Sequence, residues 1–470
     1  MFMSRDWIAF IVLVTAGAIA CGAAHAQATR PLTERQRVAQ WSNDILVGEY
    51  DRHAKHHAAW DEPAREALAA YARIIADDPR QTGDELDTMF FSCRTAIQGG
   101  CKDPLVQLVA ARASFRFERR RDEWLGMHVE AAHRILGTAY HPFWKCSAAF
   151  LAAEYEGQLK KDPGALADAR RMLDAGLELL PQVLLDESVP RGEKIDLFRM
   201  MTGAAKVVEG EREPTTARVM AAVDPKLKDR SLSLSLMARF YLDYAWDMRA
   251  DEAGGEPDRR LTRERLETAA MAGEEAWNLD KTNGRSAKLM MRTMLGLGDD
   301  EQRATWFARA VEAEPDDFTV YTERLEALEP KWGGSPEAML AFGREYLKRG
   351  DWDARLPFVL VEAHLALSRY ARDGYKTQPQ PQYFRDNPEV LHDVKAVYDE
   401  YLKRTESPSL FHRSRYAELA LWSGQYALAA EQFAAMGDKF SYAWFRNDAR
   451  YNRARAELAA HAPQEPQDRR

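Results

Sequence analysis

The chain has 470 residues, with 65 Lys and Arg against 73 Asp and Glu and a formal net charge of −8. A mildly acidic chain with no block of five like charges carries no global electrostatic footprint for nucleic acid or an anionic membrane, so neither is an expected partner. Hydrophobic residues at 46% and aromatic residues at 10% exclude disorder, and 27 Gly with 21 Pro exclude collagen-like chains and leave little of the turn chemistry of an all-β fold.

The first predicted element is a targeting segment. Ile8 to Ala20 is an apolar run of 13 residues, too short to span a bilayer core comfortably, and it follows Arg5. Ala24-His25-Ala26 places small residues at the −3 and −1 positions of a cleavage point before Gln27. Residues 1–26 therefore read as a signal peptide, and the mature protein as exported across an inner membrane to a periplasmic location. Asp6 cancels Arg5, and two rivals stay open: a lipid anchor at Cys21, and an uncleaved N-terminal anchor.

Beyond residue 30 apolar residues recur at spacings of three and four, which predicts stacked amphipathic helices. Pro63 to Ala76 is an example, with Leu68, Tyr71, Ile74 and Ile75 on one stripe, Pro63 in the first turn and Asp77-Asp78-Pro79 ending the helix. Similar units are Leu105 to Phe117, His128 to Gly137, Ala165 to Leu180 and Leu234 to Arg249. Just before the first unit, His53, His56 and His57 stand at i, i+3 and i+4, so on a helix they share one face and offer imidazoles to a divalent metal. No fourth ligand is identifiable and Lys55 adds charge, so a solvated helical face is the plainer reading.

After removal of residues 1–26, Cys93, Cys101 and Cys146 remain, an odd number for an oxidising compartment. Gly99-Gly100 can turn the chain back between the first two, so a Cys93–Cys101 disulfide stands beside the reading of three buried thiols. No CxxC pair supports a redox or tetrathiolate site. The Arg116 to Glu123 run is the strongest basic cluster, but three acids dilute it and it reads as a solvated face. His128, Glu130 and His133 look superficially like a zinc-protease helix, yet five residues separate the two His by about 140° around a helix.

The decisive pattern lies further on. EEAWNLDKTN and ARAVEAEPDD align with Ala276 over Ala310, Asp280 over Glu314 and Asn283 over Asp317, an offset of 310 − 276 = 34. Gly298, Phe307, Ala310 and Pro315, and again Gly424, Tyr426, Ala429 and Phe433, resemble the tetratricopeptide pattern: glycine for the turn, alanine for close helix approach, proline to stop the unit. Leu328 to Phe342 (LEPKWGGSPEAMLAF) is similar to the signature of an uncharacterised bacterial family of tetratricopeptide-like proteins, domain of unknown function 4034. Ala245-Trp246-Asp247-Met248-Arg249 and Tyr416 to Gly437 resemble its flanking helices, although Ala250 stands where many relatives carry Gly. The resemblance covers roughly 190–450 and implies a fold but no activity.

Within that signature, Lys331, Trp332, Gly333, Gly334 and Ser335 form a small Gly-rich loop that invites a binding role, with Lys331 and backbone N–H groups facing an anion. It lacks the spacing of a nucleotide-binding loop and no strand precedes it. The structural reading assigns Pro330 to stop one helix, Gly333-Gly334 to the turn, Ser335 to an N-cap and Pro336 to the first turn of the next, with Trp332 pinning the pair. Ala250 to Arg260 and Arg372 to Pro388 read as long inter-helix loops, and His461 to Arg470 as a disordered tail.

No nucleophile elbow, Ser-His-Asp grouping or dinucleotide fingerprint occurs, so no catalytic residue and no cofactor are assigned. The paired carboxylates sit where helices begin or end, as capping explains. The sequence thus predicts an all-α, right-handed α-solenoid of helical hairpins, in an N-terminal helical region at 27–190 and a tetratricopeptide-like domain at 190–460. The leading functional expectation is a non-enzymatic envelope protein that binds a protein or peptide in a groove lined by first helices. The alternatives are an enzyme whose site is assembled from distant helices, and a structural subunit of an envelope complex.

Overall fold

The computed structural model describes residues 34–77, 82–117, 121–159, 163–250, 259–373 and 380–461. The signal segment, Cys21, residues 118–120 of the charged run, residues 251–258 and 374–379 of the two long loops, and the tail after His461 lie outside the described residues.

All regular elements among the described residues are helical. α1 (Glu34–Asn43) runs through a π-helical turn at Asp44–Gly48 into α2 (Glu49–His53). Next come α3 (Asp61–Ile75) with α4 (Gly83–Gln98), α5 (Pro104–Phe117) with α6 (Arg121–Leu136), and α7 (Pro142–Leu159) with α8 (Pro163–Leu185). They are followed by α9 (Arg191–Glu209) and α10 (Glu213–Val223), α11 (Arg230–Ala250) with α12 (Arg259–Leu279), and α13 (Gly284–Leu297) with α14 (Asp300–Ala313). After α15 (Phe318–Ala327) a tight turn at Pro330–Trp332 leads to α16 (Pro336–Arg349) and α17 (Phe358–Asp373). The chain ends with α18 (Gln380–Asp386), α19 (Pro388–Arg404), α20 (Leu410–Trp422), α21 (Tyr426–Met436), α22 (Tyr442–Phe445) and α23 (Asp448–Ala460). α18 occupies part of the stretch expected as a loop at Arg372 to Pro388.

Helices adjacent in sequence pack as pairs, and α7, α9, α11, α13, α15 and α17 each touch the next. This is an all-α solenoid of helical hairpins, in which each unit buries its apolar stripe against its neighbours. The 34-residue offset has a physical basis. Ala276 and Ala310 are fully buried, where a larger side chain would hold the helices apart. Asn283 and Asp317 both cap the following helix: Asn283 Oδ1 accepts the Ser286 N–H at 3.1 Å, and Asp317 Oδ1 accepts the Thr319 N–H at 2.9 Å. Gly298 closes α13 in a left-handed conformation at φ 74° that only glycine adopts without strain.

The apolar core runs from Trp41 to Phe240 in one continuous cluster, passing through the boundary expected near residue 190; Val189 and Ile195 both belong to it. A second cluster extends from Trp277 to Trp422. Cys93, Cys101 and Cys146 are buried free thiols, the second of the two readings left open, and the Cys93–Cys101 bridge is not formed. The turn is present, with the Cys101 N–H bonded to the Ala96 carbonyl at 3.0 Å, but both sulfurs enter the core and burial pushes the Cys93 thiol up.

The chain then closes on itself, with α4 packed on α20 and α22. A Cβ at Gly83 would lie 2.1 Å from the Phe411 ring, so the approach of α20 requires glycine there. Asp84 Oδ1 accepts the Phe411 N–H at 2.8 Å and Asp87 Oδ1 accepts the Ala443 N–H at 2.7 Å. One α4 face thus caps two helix starts. Tyr442 completes the seam, edge-on to Phe91 at 5.0 Å.

Burial pushes the Asp87 carboxyl up to about 7, against the hydrogen bond it accepts from the Ala443 N–H. A carboxyl with a raised folded pKa contributes stability that is present below its unfolded value and lost as pH rises through about 7. Asp87→Asn keeps an acceptor for the Ala443 N–H and removes that titration. Thermal melts at pH 5 and pH 8 are expected to show the variant losing less stability between the two pH values than the parent, by about 1–2 kcal/mol. Equal slopes for the two proteins would show that Asp87 is not held in a desolvated site.

Candidate functional site

A concavity of about 860 Å³ among the described residues lies against α5, α6, α7, α9 and α11. Three of these, α7, α9 and α11, are consecutive first helices, so the site is the groove that hairpin stacking creates. Its aromatic wall is Trp124, Tyr155 and Trp246. Tyr155 is edge-on to Trp124 at 5.9 Å and to His128 at 5.4 Å. His128 is buried, with Nε2 3.3 Å from the Ala148 carbonyl, and burial with the nearby Arg112 charge holds its pKa down to about 3. It is a neutral structural imidazole in the groove wall.

The groove is cation-rich. Arg112, Arg199, Lys206, Arg212 and Arg239 face Glu154, Asp243 and Asp247, and 5 − 3 gives an excess of two positive charges. Asp247 receives both Arg212 and Lys206, the latter at 3.2 Å, and Asp243 receives Arg239 at 2.8 Å. Arg112 is held from behind by Tyr71 and by Ser147 at 2.6 Å. Arg199 projects from α9, contacts Asp196 at 3.9 Å, and is the most exposed of these cations. Across from it burial raises the Glu154 carboxyl, which Arg199 partly offsets. Between them Gly203 keeps the floor open: a Cβ there would meet nothing nearer than Glu154 Oε2 at 3.8 Å.

Lys331, Trp332, Gly333, Gly334 and Ser335 lie outside this groove. The Gly333 and Gly334 N–H groups bond to the Pro330 and Glu329 carbonyls at 3.1 and 3.3 Å, and Lys331 Nζ pairs with Glu329 at 2.7 Å. The Gly333 and Gly334 N–H groups that the anion-binding alternative needs are therefore taken up by the turn's own carbonyls. A Cβ on Gly334 would lie 2.0 Å from the Leu328 carbonyl oxygen, and Ser335 Oγ accepts the Ala338 N–H at 3.1 Å as an N-cap. Trp332, however, is edge-on to Trp246 at 5.8 Å. The signature loop supports the groove wall from outside it.

The structure does not bring the imidazoles of His53, His56 and His57 together. α2 stops at His53 because Ala54 turns extended at ψ 160°, so the three do not share a helical face. His53 is edge-on to Tyr140 at 6.0 Å, His56 bonds Asp61 at 3.3 Å, and His57 Nδ1 accepts the Ala59 N–H at 3.1 Å. A different group does converge: His133, Glu156 and Asp168 place one donor atom each within 4.8 Å of one another. Sequence reasoning stopped at the spacing of His133 from His128, because the partners of His133 come from the next two helices. The groove residues were missed too, although Arg199, Gly203 and Lys206 at helical spacing mark a polar face with a gap in its middle.

No family model matches the chain, and no curated protein matches it. Among solved structures it is similar to a monomeric mutant of IFIT1 with m7Gppp-AAAA, at 11% identity, over 84% of this chain and 94% of that chain, with a TM-score of 0.22.

Trp332→Ala removes a half-buried indole that backs Trp246, and is expected to lower the unfolding free energy by about 2 kcal/mol. Lys331→Ala, at an exposed pair, should stay within about 0.5 kcal/mol of the parent. Urea unfolding of both variants checks this; a larger effect from Lys331 than from Trp332 would contradict the support role.

Proposed function

We propose that this is an exported helical-repeat protein of the bacterial cell envelope that holds an acidic, aromatic-bearing segment of a protein partner in the groove between α7, α9 and α11. It acts by binding and not by catalysis. One observation carries the reading: a concave site on consecutive first helices combines a cation excess with an aromatic wall, in a chain whose net charge is −8. Arginine and aromatic side chains supply most of the energy of peptide and protein recognition, through charge pairing with carboxylates and low-entropy apolar contact. The fold supports an interaction scaffold, and residues 1–26 support export.

Two measurements test it. A labelled decapeptide of alternating Glu and Phe is expected to bind the protein, with Arg199→Glu/Lys206→Glu weakening it by about tenfold or more. A Lys/Phe decapeptide should not bind, and preferential binding of a single-stranded oligonucleotide would replace this reading with a nucleic-acid one. For export, N-terminal sequencing of envelope-fraction protein should begin at Gln27; full-length protein confined to the cytosol would exclude it.

A further inference from the structure

His133 near the end of α6, Glu156 on α7 and Asp168 on α8 meet at the junction of three helices. His133 Nε2 and Asp168 Oδ2 are hydrogen-bonded at 3.0 Å, and a small outward shift brings them to the roughly 3.4 Å that separates tetrahedral ligands with bonds of about 2.1 Å. The other oxygen of Asp168, Oδ1, is held by Arg171, which fixes the carboxylate and leaves Oδ2 facing the imidazole. Glu156 is only 5% exposed, and one of its carboxylate oxygens lies within 4.8 Å of the donor atoms of Asp168 and His133. Two carboxylates this close together, one of them buried, repel each other unless a positive charge lies beside them, which a cation supplies. His133 is exposed, so solvent reaches the cluster from one side.

We propose that His133, Glu156 and Asp168 form a three-ligand site for a divalent first-row metal ion of the zinc class, which ties α6, α7 and α8 together. One imidazole nitrogen with two carboxylate oxygens suits zinc or manganese better than the all-oxygen shells of calcium and magnesium. The three helices supply one donor each, so the ion is a tertiary clamp, and solvent completes its coordination on the His133 side. Glu156 directly follows Tyr155 of the groove wall, so the clamp also fixes the turn of α7 that carries that ring. The proposal does not depend on what the groove binds.

Calorimetric titration of the purified protein with Zn²⁺ tests it. The expected result is one equivalent bound per chain with a rise in melting temperature, and about tenfold or greater loss of affinity in His133→Ala and in Glu156→Gln. His133 is exposed, so its variant tests the ligand without disturbing the core; unchanged far-ultraviolet circular dichroism verifies that. His56→Ala should bind as the parent does. Absence of one-to-one binding, or binding that survives His133→Ala and is lost in His56→Ala, overturns the proposal.

Discussion

The carboxylates of Asp84 and Asp87 accept backbone N–H groups from residues 327 and 356 positions further along the chain, and the solenoid depends on that seam. An open array of hairpins is a sum of neighbour contacts with two weak ends. Here the ends are each other's neighbours. The entropy of closing so long a loop grows only logarithmically with its length, so a seam of two capped helix starts and a packed aromatic cluster can offset it. Gly83 sets the distance at which those interactions form, because any side chain there displaces the Phe411 ring.

Closure also determines what the inner face contains. α1 lies across the starts of α9, α11, α13 and α15, with clefts of about 570 and 560 Å³ on its two sides. Asp77 holds α1 through Arg35 and the far side of the ring through Arg355. Several cations there are shared between two acids, as Arg191 is between Asp229 and Asp280 and Lys288 between Glu314 and Asp317. Lys288 draws Asp317 well below the usual carboxylate range, while burial raises Glu314 next to it to about 7. The depressed Asp317 contributes stability that is lost as pH falls, and the raised Glu314 and Glu193 contribute stability that is lost as pH rises. The interior thus favours an intermediate pH from both directions. Cations in these clefts are engaged by close ion pairs, whereas Arg199 in the groove meets Asp196 at 3.9 Å.

The helical fold was legible because its signal is local. Periodicity marks helices, and the pair Asn283 and Asp317 repeats a capping function at a fixed interval. Closure was not legible: nothing near Gly83 or Asp87 announces Phe411 or Ala443, and a glycine before a helix has an adequate local explanation. The candidate site failed for the same reason. Clusters contiguous in sequence, such as His53, His56 and His57, attract notice, but a helix that ends at His53 separates them. Groups that do converge draw single residues from several helices, as His133, Glu156 and Asp168 do. Local chemistry was read correctly where the turn itself sets it, as with Ser335 capping α16.

Ala245 to Arg249 and Leu328 to Phe342 are distant in sequence but meet at Trp246 and Trp332. That contact ends in the groove: Trp246 faces both the Pro330–Trp332 turn and the cation-rich floor, and Asp247 beside it gathers Arg212 and Lys206. Arg292 stacks over the remaining side of Trp246 at 5.8 Å. An indole packed between a tryptophan and a guanidinium has little rotamer freedom left to lose on binding, so the wall is preorganised. A global charge of −8 hid this, because net charge averages over a long surface while recognition is decided by a few side chains within one Debye length. The acidity of the whole chain and the positive groove are compatible, and together they favour a ligand whose carboxylates are drawn to one place and repelled elsewhere.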